Sequence, residues 1–303
     1  MFFLAALVAL VALASAAPPV VAPAPALPAP VAPATGPLPP HQVFPDVVAA
    51  MDVVLAENPH ILGIGELHST TATANVPSTL AVFTHELFPL LAPHLTDLVL
   101  ETWRVDGTCG EPAAAVTAEV ETQTERPPET KSDLAVLVEA AVAAKVRPHD
   151  LAFSCDEYKG LRGTDGEVQF GALLGLLTDK LQDYGVRAAT TPGVTMVLYG
   201  GAVHNDLAPR PELARYSYAT AVAAKAGKDY VELDLVQPEL LTPTMTEPAW
   251  APLLPTTGPD HVVLFERAPR SFVILLPTAG PVTTPAPAPP PSPGATPAEP
   301  SKG

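Results

Sequence analysis

Short apolar runs alternate along the chain with segments whose apolar residues recur at helical spacing, and this alternation predicts an α/β fold. Val47, Val48, Met51, Val54 and Leu55 follow Asp46, which is expected to cap the first helix. A strand over His60 to Ile64 comes next, then a polar, Thr-rich stretch, then a helix capped by Ser78 that carries Leu80, Phe83, Leu87 and Leu91. A second strand runs from Asp97 to Leu100 and ends on Glu101. Ser132 opens an Ala/Val/Leu helix to about Val146, Leu151 to Ser154 reads as a third strand, and a helix from Val168 to about Tyr184 precedes a strand over Val194 to Tyr199.

A helix around Glu212 to Lys225 follows, and the alternation in Asp229 to Leu235 predicts a strand with one wetter face. His261 to Glu266 and Ser271 to Leu276 flank a short Arg/Ala/Pro turn and have the pattern of a hairpin. Strands separated by helices pair in parallel through right-handed crossovers. The expected architecture is therefore α/β, a largely parallel sheet with flanking helices and an antiparallel C-terminal hairpin at the edge.

Composition divides the chain. Residues 1–16 have the apolar run and the Ala14-Ser15-Ala16 ending of a signal peptide, too short to span a membrane, although the basic start of such a peptide is missing. Residues 17–43 form a Pro/Ala-rich linker and 279–303 a Pro-rich tail, segments that cannot bury a core and that favour extended polyproline conformations. The folded domain is expected over 44–278, and the chain is expected to be exported to a periplasmic or extracellular space. Arg104 to Lys131, rich in Glu, Thr and Pro, is expected to be a surface excursion of the lid or binding-loop kind.

A net charge of −16 argues against nucleic acid as a partner, because phosphates meet repulsion over the whole surface. It also keeps an exported protein soluble, which is the simpler reason for it. The two cysteines, Cys109 and Cys155, each lie in or near a loop after a predicted strand. In an oxidising compartment they are expected to pair, with a catalytic thiol as the less favoured reading.

Candidate chemistry sits at the strand ends. The tetrads Gly65-Glu66-Leu67-His68 and Gly201-Ala202-Val203-His204 each close an apolar run, so both histidines fall just past a strand's C-terminal end, where ligands collect in open α/β sheets. A third match, Gly258-Pro259-Asp260-His261, precedes its strand and reads as a turn. Glu101 follows the second strand, Asp156 and Glu157 the third, and Asn205 and Asp206 follow His204. Two imidazoles and a carboxylate form a donor set for a divalent metal such as Zn, Mn or Co, with His68, Glu101 and His204 as ligands. They equally make up a water-activating base with its orienting partners, Glu66, His68, Glu101 and His204. Asp156, Glu157 and Asp206 are expected to support at most, and Tyr158 and Tyr199 to pack. His85 and His94 are expected at the surface or in packing, and His41, His60 and His149 show no partner pattern.

On these motifs the body from about His60 to Glu266 resembles the superfamily that unites erythromycin esterases, haem-binding ChaN proteins, and the Tiki and TraB proteins. Two Gly-x-x-His motifs and a Glu after the second strand mark that group. The resemblance implies either a hydrolase of ester or amide bonds, some members being metal-dependent, or a haem-binding protein. ChaN proteins are typically lipid-anchored, and no cysteine follows the apolar run here, a departure from the ChaN pattern.

The leading expectation is an exported hydrolase acting on a small-molecule or peptide substrate. His68 is its base or metal ligand, Glu101 and His204 are ligands or orienting groups, and Glu66 positions water. The alternative is haem ligated by His68 or His204, with residues such as Val105 over the porphyrin face. A further alternative is a non-catalytic surface or adaptor module displayed between Pro-rich spacers whose partner is unknown.

Overall fold

The computed structural model describes residues 37–103, 109–241 and 249–278. The expected signal peptide, residues 17–36 of the linker, the tail and Val105 lie outside the described residues.

The strands are β1 (Gln42–Phe44), β2 (Ile61–Glu66), β3 (Asp97–Trp103), β4 (Arg147–Leu151), β5 (Met196–Gly201), β6 (Tyr230–Val236), β7 (Val262–Ala268) and β8 (Ser271–Leu275). They form one sheet of order β1-β7-β8-β6-β2-β5-β3-β4. Neighbours from β8 across to β4 are parallel, while β7 runs antiparallel to both β8 and β1. The largely parallel sheet and the C-terminal hairpin are as expected. The hairpin is not outermost, however, because β1, partly within the expected linker, pairs with β7 and takes that edge.

Local sequence explains most of the helices. Asp46 accepts the Ala49 N–H at 2.8 Å and caps α1 (Val47–Leu55). Ser78 likewise caps α2 (Thr79–Val82), which continues through a wide π-turn, Phe83–Leu87, into α3 (Phe88–Leu91). Pro89 has no N–H to return to the carbonyl of residue 85, and the ladder there widens to accommodate it. α5 (Glu129–Ala143) completes this layer, whose apolar residues close on Leu62, Ile64, Leu98, Leu100, Val197 and Tyr199 of one sheet face.

The opposite face, carrying Ile61, Val99, Met196 and Leu198, is covered by α4 (Glu111–Thr124), α6 (Cys155–Gly160), α7 (Phe170–Thr190) and α8 (Ala219–Ala226). A third cluster, around Trp250 and Leu253, closes over the hairpin and Val236. α4 corrects the expectation of a lid over Arg104 to Lys131, of which 104–108 lie outside the described residues. Ala113, Val116 and Val120 form a thin apolar stripe at helical spacing, hidden among Glu and Thr, and all three are buried.

Two strands also differ from their expected form. The third strand is Arg147–Leu151, earlier than expected. As an edge strand it carries little apolar sequence and tolerates Pro148. The residues after it lead into Ser154, which forms a capping box with Glu157 at the start of α6. In β6 the face expected to be wetter is buried, with Glu232 and Asp234 inside. Arg267 from β7 meets both, together with Asp206 at 3.1 Å, and this partner is what lets carboxylates occupy that face.

β3 and β4 are neighbours, so the segments after them emerge on the same edge, and Cys109 and Cys155 are joined there in a disulfide with a Cα separation of 5.1 Å.

Candidate functional site

The parallel core of the sheet places β5 between β2 and β3. All three strands run the same way, so Glu66 and His68 from β2, Glu101 from β3 and His204 just past β5 meet at one C-terminal edge. The glycines of the motifs make this approach physically feasible. A Cβ on Gly201 would come within 3.0 Å of His68 Nε2 and 3.4 Å of Glu101 Oε2, and one on Gly65 would sit 2.5 Å from both Asn205 Oδ1 and Asp234 Oδ1. In each tetrad the glycine clears the space that side chains from a neighbouring strand occupy.

His68 Nδ1 lies 2.9 Å from Glu66 Oε1. The Tyr199 hydroxyl donates to the other carboxylate oxygen, Oε2, at 2.6 Å. Burial, and next the charge of Glu66, push the phenol well above its ordinary range, so Tyr199 stays a donor. With Nδ1 directed at a carboxylate, the network assigns the His68 proton to that nitrogen and leaves a lone pair on Nε2. The ring is 30% exposed, and Nε2 stands 4.0 Å from Glu101 Oε2.

Glu101 is 7% exposed and lies between the two imidazoles. Its Oε2 accepts the Gly201 N–H at 2.5 Å, and its Oε1 is 3.5 Å from His204 Nε2. Burial raises the affinity of this carboxyl for a proton. The His204 imidazole, then His68 and Arg126, outweigh burial and hold Glu101 well below the usual carboxylate range.

His204 is only 1% exposed. Its Nδ1 reaches the Tyr216 carbonyl at 2.8 Å and the Thr178 hydroxyl at 2.9 Å, while that hydroxyl can donate to the Leu174 carbonyl at 2.7 Å. A carbonyl only accepts, which fixes a proton on Nδ1. Burial lowers the basicity of the ring, but Glu101 raises it further, and the net shift is upward. Nε2 has no hydrogen-bond partner, since 3.5 Å to Glu101 is long for one, and the two groups form an ion pair when the ring is protonated.

Behind His204, Asn205 points its amide at the Gly63 and Leu233 carbonyls and, at 3.1 Å, at Asp234 Oδ1. Burial first, then the charge of Glu232, raises Asp234 well above its ordinary value, and Arg267 opposes this only in part. Burial likewise raises Glu232 against the pull of Arg267.

The four expected site residues thus come together, and the two oxygens of Glu66 meet His68 and Tyr199. Asp156 and Glu157 do not join the site: Asp156 is exposed against Lys159, and Glu157 caps α6 and pairs with Lys180 at 2.7 Å. His149, which showed no partner in sequence, meets Asp97 at 2.6 Å, away from the site. Tyr199, expected to pack, does so against Phe83 with ring centroids 4.6 Å apart, and is also the group that fixes Glu66. The sequence signal for it was its place two residues before Gly201, facing the same side as Glu66.

A divalent metal on His68, Glu101 and His204 does not fit this geometry. Among the described residues no group of three His, Cys, Asp or Glu, these three included, is placed to hold a metal ion.

No family model and no curated protein matches the chain. Among solved structures, the type III effector HopBA1 is similar with a TM-score of 0.37 and 13% identity, over 78% of this chain and 98% of that one. ChaN of Campylobacter jejuni, in a structure describing its cofacial heme binding, is similar with a TM-score of 0.35 and 11% identity, over 78% of this chain and 96% of that one.

Proposed function

We propose that the chain is a hydrolase of ester or amide bonds that works with its own side chains at the C-terminal edge of β2, β5 and β3. The observation that carries this reading is the Tyr199–Glu66–His68 chain. A carboxylate locked by a buried phenol accepts a hydrogen bond from Nδ1–H of a partly exposed imidazole and so directs its Nε2 lone pair beside Glu101. This is the arrangement a general base needs, with the orienting partner already in place.

In the proposed reaction His68 Nε2 takes a proton from water as its oxygen bonds to the substrate carbonyl carbon. The imidazolium then returns that proton to the departing alcohol or amine as the bond to carbon breaks. Glu101 holds the proton-loaded ring by its charge, and His204 holds Glu101. The disulfide supports an oxidising, exported setting, and no described helix is long and apolar enough to cross a membrane.

The test is turnover of a panel of 4-nitrophenyl esters and peptide anilides by the full chain, with and without chelator. Hydrolysis that survives chelation and is lost in His68→Ala is the expected result. Inertness of the wild type across the panel, or a His68→Ala variant of full activity, removes the reading.

Haem binding is the second reading. The observation favouring it is that His68 is the accessible imidazole and has its Nδ1 anchored by a carboxylate, as iron-ligating histidines often do. A saturable Soret shift on haemin titration, lost in His68→Ala and kept in His204→Ala, is its signature.

A further inference from the structure

Arg126 differs from the other arginines described. Arg147, Arg162, Arg210, Arg267 and Arg270 each pair with a carboxylate, and Arg187 and Arg215 lie over tyrosine rings. Arg126 is half-buried, yet among the described residues its guanidinium has no ion pair and no hydrogen bond, in a chain with 32 acidic residues against 16 basic ones. A partly exposed guanidinium with no protein acceptor has all its donors available to an acceptor from outside.

Its position says where that acceptor would bind. α4 ends at Glu125, whose left-handed backbone at φ 48° reverses the chain. The Glu125 carbonyl accepts the Thr71 N–H at 2.8 Å, which pins this turn to the loop that follows His68. The charge of Arg126 is felt at the site itself, where it helps keep Glu101 ionised and lowers the Tyr199 phenol slightly against the other influences on it.

We infer that Arg126 is the specificity residue of the His68 site and that the substrate carries an anionic group, a carboxylate or a phosphate, next to its scissile ester or amide. The inference rests on the hydrolase reading above and adds the substrate class to it. Two site carboxylates would repel such a substrate, and a guanidinium beside them offsets that while its fork of donors fixes the anion's orientation. The overall negative charge does not prevent this, because physiological salt screens it beyond about 8 Å.

The experiment compares a monoanionic ester, 4-nitrophenyl hydrogen succinate, with neutral 4-nitrophenyl butyrate in the wild type, Arg126→Gln and Arg126→Lys. The anionic-to-neutral ratio of kcat/KM is expected to fall about tenfold or more in Arg126→Gln, with part of it kept in Arg126→Lys. An unchanged ratio in a folded Arg126→Gln overturns the inference. Should the wild type hydrolyse neither ester, the hydrolase reading fails separately, and anion recognition is read by calorimetric titration of succinate and of inorganic phosphate into the full chain. Saturable binding of either that disappears in Arg126→Gln supports the inference, and the tighter of the two names the anion. No saturable binding, or binding equal in the variant, overturns it.

Discussion

Tyr199 and Glu66 stand on adjacent strands, and the phenol hydroxyl of the first donates to Oε2 of the second at 2.6 Å. The same carboxylate orients His68 with its other oxygen, so Tyr199 acts on His68 through Glu66. Tyr199→Phe keeps the packing against Phe83 and removes only the hydroxyl. Losing a hydrogen bond to a charged group in this position is expected to lower kcat about tenfold, with little change in KM. Unaltered kcat, with an unaltered pH profile, would show that Glu66 is fixed without it.

The Glu101–His204 pair has a defined pH window. Glu101 is depressed below its ordinary 4.5, so its contribution to stability is present above that value and is lost as the pH falls through its folded value. His204 is raised above its ordinary 6.5, so its contribution is complete below 6.5 and is lost as the pH rises through its folded value. The difference in Tm between the wild type and Glu101→Gln is therefore expected to be largest between these two ordinary values and to narrow on both sides. A difference that widens steadily toward alkaline pH contradicts the pairing.

Arg267 is the cation that makes the buried carboxylates of β6 tolerable. Arg267→Met leaves Glu232 and Asp234 inside without it, and breaking a buried pair in this way costs about 3–5 kcal/mol. Arg267 is 21% exposed, which moves the expectation toward the lower end of that range. Urea denaturation measures it, and a loss under about 1 kcal/mol would mean that the two acids are neutral in the folded state without its help.

The disulfide closes a sequence separation of 46 residues. In the chain-entropy model a loop of that size stabilises the folded state by about 4 kcal/mol. Reduction is expected to lower Tm and to open the N-terminus of α4 to protease, because the bridge ties Cys109, just before that helix, to α6. Two free thiols found by mass spectrometry in protein taken from its native compartment would refute the bridge.

The site was legible where chemistry and strand endings coincide. Gly65, His68, Gly201, His204 and Glu101 close apolar runs, and a parallel sheet brings such endings to one edge. Tyr199 was hidden because it sits inside an apolar run and its partner, Glu66, is 133 residues away. The support for His204 was hidden as well, since it comes from a backbone carbonyl and a helix threonine, neither of which carries a motif. Asp156 and Glu157, expected to support the site at most, lie outside it, because Ser154 makes these acids the start of α6. α4 was missed because a helix that buries one narrow stripe looks like a polar loop. β1 and β4 were shifted or missed because edge strands need few apolar residues.

The insertion of β5 between β2 and β3 also sets an order of assembly. Glu66, His68 and Glu101 are all synthesised before β5, yet β2 and β3 share no ladder until β5 fills the slot between them. A nascent chain carrying only the first half therefore has its charged groups and no site. The surroundings of His68, Glu66 and Glu101 are complete only when the strand ending in Gly201 lies in the sheet and brings Tyr199 to Glu66 and His204 to Glu101. The site thus arrives together with the completed sheet, because its residues meet only once β5 is in place.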